Sequence, residues 1–192
     1  LWAVVYTQSR GGQVVLAIGL AAILVRRFGW KAIILGGVLV APLVALSWRS
    51  GAEADSSSVE RAEILSEGLQ LLREHPLAGV GIAQFARENP MNMAAHNSYL
   101  LVACEAGVVG FLVWCGLVWT TIKIPFAIAT RPPAGLDPGL VRFAEALAAS
   151  TLALHVGVFF LSFIYKTIYF VWIGFSGALF VAVRAEHPEY RI

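Results

Sequence analysis

Four arginines and two histidines share the one long polar stretch of this chain. Between Arg49 and His96 the sequence holds Arg49, Arg61, Arg73 and Arg87 but no lysine, and it ends in His96-Asn97-Ser98-Tyr99-Leu100, where an apolar run begins. Guanidinium is planar, permanently charged and forked, which suits phosphate oxygens. An imidazole can take a proton from a hydroxyl, the task of a general base. Arginines and a histidine at one water-facing mouth of apolar spans therefore point to chemistry on an anion.

The residues differ in how far they carry that reading. Arg10 stands in Ser9-Arg10-Gly11-Gly12, where an apolar run opens. A helix start beside it adds free amides and positive dipole for an anion, and a snorkelling anchor is the competing role. Arg61 is followed four residues later by Leu65, on the same helical face. Leu65 would seat the helix on the membrane while Arg61 reaches a headgroup-level anion; an ion pair with Glu60, Glu63 or Glu67 is the alternative. Arg73 and Arg87 are supporting candidates. His96 precedes the helix expected from Asn97-Ser98, beside that helix's positive end. Asn97 or Ser98 would cap that helix or orient the ring, and a hydrogen-bonded interface histidine is the competing role. Gly107, about three turns on, would share its face and, with Gly110, allow close helix packing. Glu105 would lie about 13 Å further along the same helix, well into the hydrocarbon, as a partner for an arginine, an orienter of an acceptor or a buried structural acid. His75 and His187 read as loop residues, and Lys166 with Tyr165 and Tyr169 as an interfacial anchor.

These residues must be positioned by membrane helices. The 192 residues are 58% hydrophobic and only 14% charged, well below the roughly 25% of soluble domains. Apolar runs fall at about 11–25, 32–48, 98–120, 143–164 and 168–184, near the ~20 residues that cross a bilayer. The expectation is an all-α integral membrane protein of five spans, one domain, with a single long loop at 49–96. Eight lysines and arginines then fall on one side and six on the other, which puts the C-terminus in the cytoplasm and the loop outside. Leu1-Trp-Ala-Val-Val-Tyr6 reads as the tail of an earlier span, so the chain is expected to be the C-terminal part of a longer protein.

The loop has order of its own. Ser57 followed by Glu60 fits a capping box. Ile64, Leu65, Leu69 and Leu72 repeat at helical spacing, and Pro76 ends the helix. This amphipathic helix is expected on the membrane surface or packed over the spans. The glycines of Leu77-Ala-Gly-Val-Gly81 permit a tight turn and close backbone approach. Residues 84–93 are irregular and polar, as a mobile lid would be. Cys104 and Cys115 lie in one span, too far apart to bridge, and read as small apolar packing residues. No His-x-x-x-His, carboxylate pair at ligand spacing, P-loop or Gly-x-Ser-x-Gly elbow is present, and no metal or cofactor is expected. No basic tract suggests nucleic acid.

The ordered set Ser9-Arg10-Gly11, Arg61 with Leu65, Pro76-Leu-Ala-Gly-Val-Gly81, and His96-Asn97-Ser98-Tyr99-Leu100 with Gly107 resembles the O-antigen ligase and O-antigen polymerase superfamily of bacterial inner-membrane proteins. The resemblance covers residues 1 to about 185, the C-terminal half of a many-span fold. It implies metal-independent, inverting glycan transfer at the periplasmic face, in lipopolysaccharide or exopolysaccharide biosynthesis. The donor it implies is a glycan on undecaprenyl pyrophosphate; the acceptor is a glycan, lipid A-core or a protein. Arg10 and Arg61 would hold the pyrophosphate, and His96 would take the acceptor proton. The chain departs from the pattern at Gly68, where a larger or aromatic residue is expected, and Phe160–Ile173 looks more like a polymerase than a ligase. A different class, a transporter or channel subunit with Glu105 and Lys166 on the pathway, competes with the enzyme; paired broken spans in two halves would mark it, and the sequence shows no such pair. A structural membrane fragment is the third.

Overall fold

The computed structural model describes residues 10–29, 31, 34 and 52–192. The run at 1–6 and the span expected at 32–48 lie outside the described residues. The described helices are α1 (Arg10–Phe28), α2 (Ala52–Glu74), α3 (Phe85–Glu88), α4 (Ser98–Thr130), α5 (Pro138–Gly157) and α6 (Thr167–Glu186). Three of them, α4, α5 and α6, are long and apolar enough to cross a membrane, and α1 holds a shorter apolar segment, Gly11–Val25.

Helix α5 packs between α1 and α4. Its start is written in the sequence: Asp137 accepts from the Gly139 amide at 2.8 Å, and Pro138 occupies the first turn, where its missing N–H costs nothing. A Cβ at Gly157 would meet Val15 and one at Gly19 would meet Ala153, so α1 and α5 run antiparallel. The apolar run at 143–164 is therefore not one helix. It ends at Gly157, and the chain turns through Val158–Lys166 before α6. Ser176 in α6 donates to the Thr121 carbonyl of α4 at 3.0 Å.

Helix α4 is not one rod. Gly107 has φ 66° and ψ −174°, a conformation open essentially to glycine alone. The carbonyls of Cys104 and Glu105 leave the helical ladder and accept from the Val80 and Gly81 amides at 2.9 and 3.0 Å, while the Val108 amide donates to Pro76 at 2.8 Å. The rings of Tyr99 and Trp114 meet edge to face with centroids 4.8 Å apart. On a straight helix those fifteen positions would be separated by about 22 Å. The chain therefore turns back at Gly107, dividing α4 into a short arm, 98–106, and a long arm, 108–130. This corrects two expectations. Gly107 does not share a helical face with His96, and it makes room for the backbone of Leu77 and Ala78 rather than for a neighbouring helix.

Helix α2 is already helical at Ala52, so Ser57 sits within it and not at its cap; Ala52, Glu53 and Ala54 favour helix. Pro76 follows its end. Ile64 and Leu71 are buried, whereas Leu65 and Leu69 are 46% and 44% exposed. The buried stripe faces the short arm of α4. A Cβ on Gly68 would lie 2.9 Å from a Leu100 methyl, and the Cys104 thiol donates to the Gly68 carbonyl at 3.0 Å. Gly68 stands where a larger residue was expected because the two helices touch there. Gly68→Leu is expected to destabilise the protein by about 1–3 kcal/mol, the usual cost of overpacking, read as a lower thermal unfolding midpoint of the purified full-length protein. An unchanged midpoint would show that α2 does not seat on Leu100.

Candidate active site at the turn between the last two helices

The segment 158–166 touches α1 at Gly11 and the short arm of α4 at Ser98 and Glu105. Ser98 opens the short arm of α4, and its amide donates to Val158 at 2.8 Å. Its hydroxyl donates to the Leu161 carbonyl at 2.6 Å and accepts from the Phe163 amide at 2.9 Å. Asn97, not Ser98, is the cap: its side-chain oxygen accepts from the amides of Tyr99 and Leu100 at 2.9 and 3.1 Å. His96 therefore stands two residues from the turn, exposed, with φ 48°. A left-handed backbone is uncommon outside glycine, although Asn, Asp and His adopt it more readily than other residues.

Helix α1 reaches the same turn beside Arg10. A Cβ on its neighbour Gly11 would lie 2.9 Å from Phe160, so the α1 backbone presses directly on the segment that holds Ser98. The Arg10 side chain lies outside the described residues.

Arg61 approaches on α2. Gly68 abuts Leu100, and further along, Pro76 pairs with Val108, so α2 runs in the same sense as the short arm. Arg61 precedes Gly68 by seven residues, two turns and about 10 Å, on the same side of the helix. That carries it past the start of the arm, to the level of His96, where it is exposed. Leu65 and Leu69 form an exposed apolar stripe beside it. Arg73, about 18 Å further along α2, lies at the other end of the arm, near the Gly107 bend. Arg87 is exposed on α3. The structure thus brings the chain around Arg10, Arg61 and His96 to one end of the short arm and leaves Arg73 at the other.

Glu105 does not lie along a straight span, because the helix reverses beside it at Gly107. It is buried, and both carboxylate oxygens are engaged: Oε1 accepts from the Phe85 amide at 3.0 Å, and Oε2 accepts from the Tyr165 hydroxyl. Burial first, then the hydrogen bond and charge of Glu105, push the Tyr165 phenol above its ordinary range, which keeps it a donor. Among the described residues, no arginine pairs with Glu105. Segment 84–93 is anchored rather than free, since Phe85 and Asn89 are buried and the Asn89 side chain closes on the Met91 amide and the Met93 carbonyl.

Three residues were misread or missed. Tyr165 binds Glu105 rather than serving only as an anchor. Tyr169 is buried, its hydroxyl 3.4 Å from His155 Nε2. Ser98 ties the arm to the turn. Each depends on a partner more than ten residues away, and only Ser98 carried a local signal, its place beside the cap. Among the described residues, no three His, Cys, Asp or Glu side chains gather as a metal site would require.

An all-helical arrangement of the described residues, with apolar helices of membrane-spanning length and a polar loop folded over a broken helix, defines the class as a multi-span membrane protein. The family model described as O-antigen ligase matches residues 1–115, and the chain belongs to that family. No curated protein matches it. Membership makes it a ligase- or polymerase-type enzyme of the membrane, with a lipid-linked glycan and an acceptor as substrates. The match takes in Arg10, Arg61, His96, Asn97, Glu105 and Gly107, and stops within the long arm of α4.

Proposed function

We propose that this chain transfers a glycan from undecaprenyl pyrophosphate to an acceptor hydroxyl at the periplasmic face of the bacterial inner membrane. His96 acts as general base on the acceptor hydroxyl. Arg10 and Arg61 bind the pyrophosphate and stabilise the charge it gains as the sugar–phosphate bond breaks. Attack from the face opposite the leaving pyrophosphate inverts the anomeric carbon. No metal is assigned a part, because guanidinium charge meets the leaving group. Asn97 and Gly107 hold the backbone that presents His96, and Arg73 and Arg87 draw the anion towards the loop. The chain is a single membrane domain whose polar loop faces the periplasm.

The observation that supports this reading is that α1 packs on the turn that holds Ser98, while α2 packs along the short arm of α4, with Arg61 two helical turns before the Gly68–Leu100 contact. The exposed Leu65–Leu69 stripe beside Arg61 suits a donor whose lipid stays in the bilayer.

The test is to replace Arg61 and Arg73 separately in the full-length protein and follow the lipid-linked glycan. Arg61→Ala is expected to lower transfer about 100-fold, the usual loss on removing one donor to a developing anion, and Arg73→Ala to cost much less. Equal losses at both positions would overturn the placement of the pyrophosphate. In a strain lacking the protein, accumulated long chains indicate a ligase and accumulated single repeats a polymerase.

A further inference from the structure

The short arm of α4 is held at both ends by one turn. At its head, Ser98 exchanges three hydrogen bonds with Val158, Leu161 and Phe163. At its foot, Tyr165 donates to Glu105. The turn is thus a strap alongside the arm, and Phe160, in its middle, is the residue on which Gly11 rests. Glu105 does more than close the strap. Its second oxygen holds the Phe85 amide, and its own carbonyl accepts from Gly81, so the 79–89 loop hangs on the same residue through both backbone and side chain.

We propose that Glu105, with Tyr165, is a positioning pair for glycan transfer: it fixes the strap and the loop against the short arm and so sets where His96 stands relative to Arg10 and Arg61. This rests on the function proposed above. Neither residue touches the reacting atoms in this proposal. The effect runs through the strap to Ser98, two residues from His96. It is a matter of hydrogen-bond geometry rather than of charge. A glutamine at 105 could still accept from the Phe85 amide through its carbonyl and donate to the Tyr165 oxygen through its amide, preserving both links. Alanine would preserve neither.

The experiment uses the purified full-length protein in lipid vesicles, with lipid-linked glycan extracted from the source bacterium as donor and its natural acceptor. Tyr165→Phe removes one link with little change of shape. It is expected to lower kcat about 10-fold with the donor KM within about twofold, since displacement by a fraction of an ångström is felt in rate before binding. Glu105→Ala is expected to lower kcat about 100-fold. Glu105→Gln should restore most of the rate lost in Glu105→Ala. A rise in KM with kcat unchanged would overturn the proposal in favour of a binding role. So would Glu105→Gln as inactive as Glu105→Ala at equal folded yield, because charge would then be what matters. If Glu105→Ala fails to fold, Tyr165→Phe decides alone. His96→Ala serves as the reference. Normal transfer in that variant would sink the proposed base whatever the strap does, whereas normal kcat in Tyr165→Phe beside an inactive His96→Ala would sink the strap alone.

Discussion

Replacing His96 with alanine is expected to leave lipid-linked glycan unconsumed while the protein still inserts into the membrane. Loss of a positioned general base costs about 10²–10⁴-fold in rate. The side chain is exposed, so its removal takes little packing with it. The φ of 48° at this position supplies a sharper comparison. Asparagine tolerates the left-handed region but offers no basic ring. His96→Asn should therefore be as slow as His96→Ala if the imidazole does the chemistry. Recovery of transfer in the asparagine variant would show that the position matters for its backbone and not for its base. The measurement is the ratio of lipid-linked to transferred glycan in membranes that carry equal amounts of each variant.

Gly107→Ala is expected to be the most damaging change to the fold. An added Cβ would run into the carbonyl of Leu77 and the amide of Ala78, which are backbone atoms and cannot swing aside as a side chain does. The φ of 66° with ψ of −174° adds a conformational penalty of about 1–3 kcal/mol, and the steric conflict adds about as much again. The hydrogen bonds from Val80, Gly81 and Val108 depend on the same close approach. The expected result is a marked fall in thermal stability of the full-length protein, together with protease sensitivity of the 76–89 loop. A variant with wild-type stability and an uncut loop would show that the helix is not broken there.

Much of this could be read from residue order. The apolar runs announced an all-helical membrane protein. Pro76 ended its helix, the glycines of Leu77–Gly81 foretold close backbone approach, and Asn97 was a recognisable cap. What escaped was set by distant partners. The α4 run reads as one continuous span because a lone glycine in an apolar helix is common. Gly107 becomes a reversal only through Leu77 and Ala78, some thirty residues earlier. In α2 two apolar stripes overlap on the helical wheel, Ile64 with Leu71 and Leu65 with Leu69. Gly68 decides between them, since only its side can approach Leu100. The partners of Glu105 could not be read because its helix was counted straight, whereas the break at Gly107 brings Phe85 and Tyr165 to it. At the site, residue types suggested Arg10, Arg61 and His96, but not that the turn after α5 would touch both Gly11 and Ser98, their neighbours on α1 and α4. Nothing in Val158–Lys166 announces Ser98 or Glu105 as partners.

The bend at Gly107 also fixes how the chain matches the thickness of its bilayer. As one straight rod, the 33 residues of α4 would extend about 50 Å, against a hydrocarbon core of about 30 Å. Such a rod would have to tilt by more than 50° or force the bilayer to thicken around it. With the short arm folded back, only 108–130 is left to cross, about 34 Å, which a bilayer accepts with modest tilt. One glycine thus trims a span to length, and the surplus helix becomes the piece that carries Asn97 and Glu105.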